Sequence, residues 1–491
     1  MRPALRLAPQ VGALLGGGPS LQRALPARGA SPELRIVRRV LAWLRGDLRL
    51  ADNPLVRFAS PAESLLCVYV LDDAWLEDCA GLGPRIGAAR LRFLWESLIG
   101  LRGELLGRGS DLLVLVGDPV AEVAALVERH AIDQLRVRRD AGWEEGRAVA
   151  RLAERLGAGV ELWQPDSGTL LDEDDLPLPL ASLPPSFSAF RRRVTRDATL
   201  PASWPAPVTL PPWPEDAPRG LPALHRISPA AADWTADARG DFCFAGGEAA
   251  GLARLDHYLW QSGAVASYKQ TRNALMGSDF STRLAPWLAH GCLSARQVHD
   301  AVRAWQATHG ASDSSEWVIV ELLWRDYFHW AARQEGAALY GHQRLPPVDD
   351  AFLRWCRGRT GVPLIDSAMR ELVATGWLSN RARQNAASFL IFELGGDWRL
   401  GAAWFERCLV DYDAASNWGN WRYVAGVGRD RRGHRFDIPW QARRYDPEGD
   451  YVARWQPSLA SQPVAQPHRL RCADVQRFPP STDGKVPPVD P

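Results

Sequence analysis

The chain has 491 residues, 46% hydrophobic and 23% charged, with a formal net charge of +1. This length holds two or three domains with cores of their own, and the charge balance excludes a uniformly basic polyanion-coating protein, so any nucleic-acid surface must be a local patch. Seven scattered cysteines with no Cys-x-x-Cys pair argue for reduced thiols in an intracellular compartment and against a zinc site, and no apolar run is long enough to span a bilayer.

Residues 1–33 carry Arg2, Arg6, Arg23 and Arg28 and no acid before Glu33. They resemble an organelle transit peptide; a start codon set too far upstream, or a plain disordered leader, accounts for the same composition. Residues 34–165 alternate short apolar runs (40–44, 65–70, 112–116, 135–137, 160–163) with helical stretches (86–106, 120–130), which predicts a doubly wound parallel-sheet α/β domain. No Gly-x-Gly-x-x-Gly follows the first strand, so a dinucleotide enzyme is poorly supported. Residues 166–245 lose periodicity and gain proline, as in a connection running over the surface. From 246 to 455 every segment has helical spacing and an all-α domain is expected. The tail, 456–491, has no periodic apolar face and is expected to be disordered.

Several charged residues of the helical part sit where core residues belong. Ser379 can cap a helix on which Asn380, Arg383, Ala387 and Leu390 share a stripe, and a charge there needs a partner that Asp411 or Asp413 can supply. Asn417 follows, ahead of a Trp-Gly-Asn-Trp run. A buried Arg–Asp bridge in a helical core explains these residues; a large flat heterocycle with a hydrogen-bonding edge explains them as well. On the helix predicted over 315–334, Trp317, Glu321, Trp324 and Phe328 recur at three- and four-residue spacing. Glu321 then lies either at a pocket mouth or at a solvent edge. Ser281, Thr282 and Arg283, just ahead of a helix, suit a diphosphate, though the pattern is weak by itself.

The strings TGW-SNR-RQN-ASF, GGDWR-GA-WFE, LVDYD--SNWGNW and ELLWRDYF resemble the cryptochrome/photolyase flavoproteins, within them the DASH subgroup, from about Val40 to Trp455. The segment Leu183–Val194 looks like the linker motif of that subgroup. The resemblance implies an α/β antenna domain followed by an all-α flavin-binding domain. It maps Tyr268, Ser281, Thr282, Arg283, Leu284 and Ala285 onto the FAD phosphate turn, with Ala285 standing where a serine is usual. Arg383 and Asp411 become the ion pair beside the ring, Asp413 a ring-edge contact and Asn417 the amide next to N5. Glu321, Trp324 and Asn380 become lesion-facing catalytic residues, and Trp421 and Trp398 the first two members of an electron relay. The third is not identified, because the segment from Arg344 to Asp350 is shortened.

Asn380 and Gln384 stand where the (6-4) photolyases carry histidines, so repair of that lesion is not expected. Tyr423 replaces a second lesion-facing Trp, which implies a preference for single-stranded or looped DNA. Arg272, Arg381 and Arg443, with Arg429, Arg431, Arg432, Arg435 and Arg444, are expected to form the local DNA-binding surface. The antenna implied is 5,10-methenyltetrahydrofolate, held through Asp140 or Glu144, unless these are only helix N-terminal acids. The expected function is light-driven splitting of cyclobutane pyrimidine dimers by electron transfer from reduced FAD, in a monomer with DNA as its partner and no membrane association. A light-sensing photoreceptor with little repair is the alternative, and a flavin-free nucleic-acid-binding protein a third reading. The expected compartment is a mitochondrion or plastid, or otherwise the cytoplasm or nucleus.

Overall fold

The structure, a computed structural model, describes residues 39–59, 62–340, 345–429 and 431–457. The leader and nearly all of the expected disordered tail lie outside these residues, as does Arg344 in the shortened segment. Five parallel strands, β1 (Arg39–Leu44), β2 (Ser64–Asp72), β3 (Leu112–Gly117), β4 (Gln134–Val137) and β5 (Glu161–Trp163), form one sheet in the order β3-β2-β1-β4-β5. The central strands read as unbroken apolar runs because both faces are covered; in β1 every residue after Arg39 is buried. Helices α1 (Ala88–Leu106), α2 (Pro119–Arg129) and α3 (Trp143–Arg155) make the crossovers. Strand order reverses between β1 and β4, so a crevice opens at their carboxyl ends, where the chain places Arg45–Asp47 and Arg138–Asp140.

The connection between the domains is less superficial than its prolines suggest. Its segment Phe187–Asp197 folds as α4, capped by Ser186, and Phe187, Phe190 and Val194 are buried together with Leu210 and Trp213. The hydrophobic spacing in Phe-x-x-Phe-x-x-x-Val is the signal behind this helix. The main helices that follow are α5 (Ala295–His309), α6 (Asp313–Glu335), α7 (Pro363–Thr375), α8 (Asn380–Phe392), α9 (Trp398–Cys408), α10 (Ala414–Ala425) and α11 (Ile438–Tyr445). One apolar core runs from the sheet through the connection to Trp330 of α6 and takes in Trp377 and Val410, and a second occupies the later helices around Trp355, Phe389 and Trp421.

The loop after β1 fastens the sheet domain to the helices. Arg49, fully buried, donates to the carbonyls of Gly291 (3.0 Å) and Asp52 (2.7 Å) and to Ser167 Oγ (3.2 Å), while the Leu48 amide donates to His290 (3.2 Å). Gly291 has φ +69°, and a Cβ there would collide with the Gly46 carbonyl. Gly291→Ala therefore combines backbone strain with a clash that neither backbone can relieve, and is expected to lower unfolding free energy by about 3 kcal/mol. Gly109→Ala, at φ +84° but with open space around it, should lose only about 1 kcal/mol. Denaturant titration of the two variants beside the parent checks this.

Candidate functional site

Helices α8, α9 and α10 meet around a charged pair. The Ser379 hydroxyl accepts from the Ala382 amide (3.2 Å) and starts α8. One turn in, Arg383 donates from Nη2 to Asp411 Oδ2 (2.8 Å) and from Nε to the Leu378 carbonyl (3.0 Å). The Asp411 side chain is 2% exposed, yet its Oδ1 has no hydrogen-bond partner. Asn417 donates from Nδ2 to the Ala402 carbonyl (3.0 Å), which fixes the amide so that its own oxygen faces away from that contact. Asp413 caps α10 by accepting from Ser416 (2.7 Å); burial would raise its carboxyl, but Arg325 and the cap outweigh it and hold it below the usual range. Gln384 also buries an unpartnered oxygen. Buried acceptors without donors are rare enough to need an explanation, and a ligand with N–H groups on its edge supplies one.

The turn expected to hold a diphosphate is built differently from its motif. Arg283 sits at φ +55° and turns its guanidinium away, 4.1 Å from the Trp377 ring centre and donating to Gly277 (2.5 Å) and Ser278 (3.0 Å) carbonyls; burial lowers its pKa to about 10. Only its main chain remains for a ligand. Ser281 and Thr282 are half-buried in the turn, Leu284 is buried, and Ala285 opens a short helix, Ala285–Ala289. The brace beneath is Arg254, which sequence reasoning missed: it donates to the carbonyls of Ser278, Ser281 and Thr282, each at 3.0 Å, and pairs with Asp279 at 2.6 Å. Nothing local in Gly-Leu-Ala-Arg-Leu marks it.

Tyr268 belongs to a neighbouring cluster. Burial and the nearby Glu321 carboxylate push its phenol pKa up, while Arg272, which ion-pairs with Glu321, pulls it back in part. Trp317 donates to the same Glu321 oxygen (2.9 Å). Burial lifts the Glu321 carboxyl above its ordinary range, with Arg272 and Trp317 pulling back in part. Three residues on, Trp324 has Phe187 of the connection stacked on it at 3.7 Å and 15°, and Tyr423 edge-on at 6.3 Å. Tyr423 in turn lies flat on His434 at 4.0 Å. Asn380 is exposed at the start of α8, and Arg381 donates to Asn273 (3.0 Å). Trp421 is buried against Phe405 (5.0 Å), whereas the ring meeting Trp398 among the described residues is Trp418, at 5.8 Å.

At the crevice of the sheet, Asp140 lies between Arg138 on one oxygen and Arg45 on the other (3.2 Å), which overcome the effect of burial and hold its carboxyl low. Glu144 is exposed and pairs with Arg85 (2.8 Å). Glu145, not picked out from sequence, has its carboxyl raised by burial. The expected basic surface is smaller than its motif count: Arg272 and Arg381 are engaged as above, Arg429 with Glu335 (2.7 Å) and Arg435 with Glu393 (2.7 Å). Among the described residues no cluster of metal ligands occurs, and no helix is long and apolar enough to cross a membrane.

Comparison with known proteins agrees with this layout. Residues 40–212 match the family described as DNA photolyase, and 317–480 the FAD binding domain of DNA photolyase. A cryptochrome DASH of Gloeobacter violaceus is 42% identical, covering 89% of this chain and 90% of its own. A chloroplastic/mitochondrial cryptochrome DASH of Arabidopsis thaliana is 37% identical, over 87% of this chain and 77% of its own. The crystal structure of a Synechocystis cryptochrome superposes with a TM-score of 0.82 at 36% identity, covering 88% of this chain and 91% of that one. Because Arg254 supports three carbonyls of the 278–282 turn, Arg254→Leu should lower stability by about 3 kcal/mol and release bound FAD on dialysis. Denaturant titration and the flavin absorbance retained after dialysis check this.

Proposed function

The chain belongs to the cryptochrome DASH group of the cryptochrome/DNA photolyase family of FAD-binding flavoproteins, and on that premise we propose that it uses light to reverse cyclobutane pyrimidine dimers in single-stranded or looped DNA. The observation that carries this reading is the pairing, on one stripe of α6, of a carboxyl lifted by burial with a Trp of which Phe187 backs one face. The chemistry that bound FAD supplies is a light-driven electron donated to the dimer and returned once the dimer has split.

The fit of the site to FAD rests on its unpartnered acceptors. Asp411 Oδ1 and the Asn417 carbonyl oxygen are free to accept from ring N–H groups, and Arg383 neutralises the first of them. One Asn417 N–H is tied to Ala402, and an amide is too weak an acid to hand a proton to a ring nitrogen. Asp413 adds a further acceptor held in its charged form. The main chain of 281–285, braced by Arg254, would receive the diphosphate. Trp421 and Trp398 are the proposed path for reducing the cofactor, and Asp140, held at the crevice by Arg138 and Arg45, the carboxylate for 5,10-methenyltetrahydrofolate.

On the DNA side, protonated Glu321 would donate to a base carbonyl while Trp324 presents its remaining face to the damaged pyrimidines. Tyr423 is smaller than Trp and has one face taken by His434, so the pocket offers less stacking to draw a dimer out of a duplex, which favours single strands. Reversal of thymine dimers under light by the reduced holoprotein, on single-stranded and duplex substrates, tests the proposal. Reversal confined to single strands is expected. Since the donating form of Glu321 is the protonated one, the rate should fall as pH rises through its elevated pKa, Glu321→Gln should flatten that limb, and Glu321→Ala should cost roughly 100-fold. Equal repair of duplex would overturn the role of Tyr423; photoreduction without reversal would leave light sensing as the function.

A further inference from the structure

Helix α11 carries an exposed face that joins Arg443 and Arg444 of the expected DNA-binding surface to Trp440, which none of the machinery above uses. Asp437 caps it, accepting from the Trp440 amide (3.0 Å), and buried Ile438, Gln441 and Ala442 seat its inner side. The outer side presents Trp440, 48% exposed, with Arg443 and Arg444 three and four residues on, on the same face. The inner residues do the packing; a single exposed indole is ordinary by itself, and what sets this one apart is the pair of guanidiniums on its face.

Two further observations say what this face suits. Arg443 and Arg444 have no ion-pair or hydrogen-bond partner among the described residues, in a protein whose Arg272, Arg381, Arg429 and Arg435 are all engaged. The face is also continuous with the mouth of the site. Trp440 meets Tyr445 edge-on at 6.4 Å, the Arg381 guanidinium lies 5.1 Å from the Tyr445 ring centre, and Arg381 bonds Asn273, next in sequence to the Arg272 that pairs with Glu321. Free guanidiniums beside an exposed indole match alternating phosphates and base faces. The base faces are open only in an unpaired strand.

We propose that α11 is a single-strand platform on which Trp440 stacks against an unpaired nucleobase flanking the lesion while Arg443 and Arg444 take the adjoining phosphates. This rests on the DNA-repair reading and extends it, placing part of the strand preference outside the lesion pocket. In a duplex the flanking base is paired and stacked on its neighbours, so the indole gains nothing there.

The test uses the FAD-loaded full chain, fluorescence anisotropy with dimer-containing oligothymidylate as single strand and as duplex, and repair of an isolated thymine dinucleotide dimer too short to reach α11. Trp440→Ala should weaken single-strand binding roughly tenfold, leave duplex binding and dinucleotide repair at parent levels, and be largely rescued by Trp440→Phe. Arg443→Ala and Arg444→Ala should each reduce the salt slope of single-strand binding by about 0.7. Parent-like single-strand affinity in Trp440→Ala, or equal loss on single strand and duplex, overturns the platform while the repair reading stands. A parent protein that binds no DNA overturns both.

Discussion

The ion pair between Arg383 and Asp411 sets the terms for the helical domain. Two charges withdrawn from water cost several kcal/mol each, and their attraction offsets this only when the remaining lone pairs and protons are also satisfied. Here Arg383 is satisfied, by Asp411 and by the Leu378 carbonyl, but Asp411 keeps one oxygen open. A core designed only for stability would close that valence or replace the pair by apolar residues. The open oxygen suits the proposed cofactor, which would bring its own donors.

The sheet domain meets the same logic at the crevice end of its strands. Strand order reverses between β1 and β4, and the loops leaving those strands carry Asp47, Arg138 and Asp140 into a buried charge network. Burial raises Asp47 while the arginines hold Asp140 low, so two carboxylates at one crevice shift in opposite directions because their surroundings differ. Arg49 and Gly291 then seat this end of the sheet against the helices, and the apolar core follows the same path without a break at the domain boundary.

Much of this was legible in the residues. Unbroken runs such as Val40–Leu44 announce a strand covered on both faces, and Ser379 before a stripe containing Arg383 announces a capped helix with a charge that must find a carboxylate. What was not legible depends on tertiary neighbours. Arg283 reads as a phosphate ligand by position, but its left-handed backbone throws the guanidinium onto Trp377. Arg254 braces its turn from a helix with no motif. Of the arginines that read as one basic surface, Arg272, Arg429 and Arg435 are neutralised by glutamates far away in sequence, Glu321, Glu335 and Glu393, which no local pattern pairs with them. Proline content made the connection look like a surface strap, while the weaker Phe-x-x-Phe-x-x-x-Val spacing foretold the part that packs.

That packed connection has a consequence for how such proteins can be inherited in pieces. Tyr327 donates to the carbonyls of Pro184 (3.2 Å) and Pro185 (2.7 Å), Arg429 to those of Leu183 and Pro184, and Phe187 lies against Trp324. The stretch 183–190 is thus a wall of the helical domain that happens to be encoded upstream of it. A crossover between two related genes at the compositional border near residue 245 would separate this wall from the surface it was shaped to meet. One falling before residue 183 would carry both together, so recombination is constrained by packing at a point well inside what composition marks as linker.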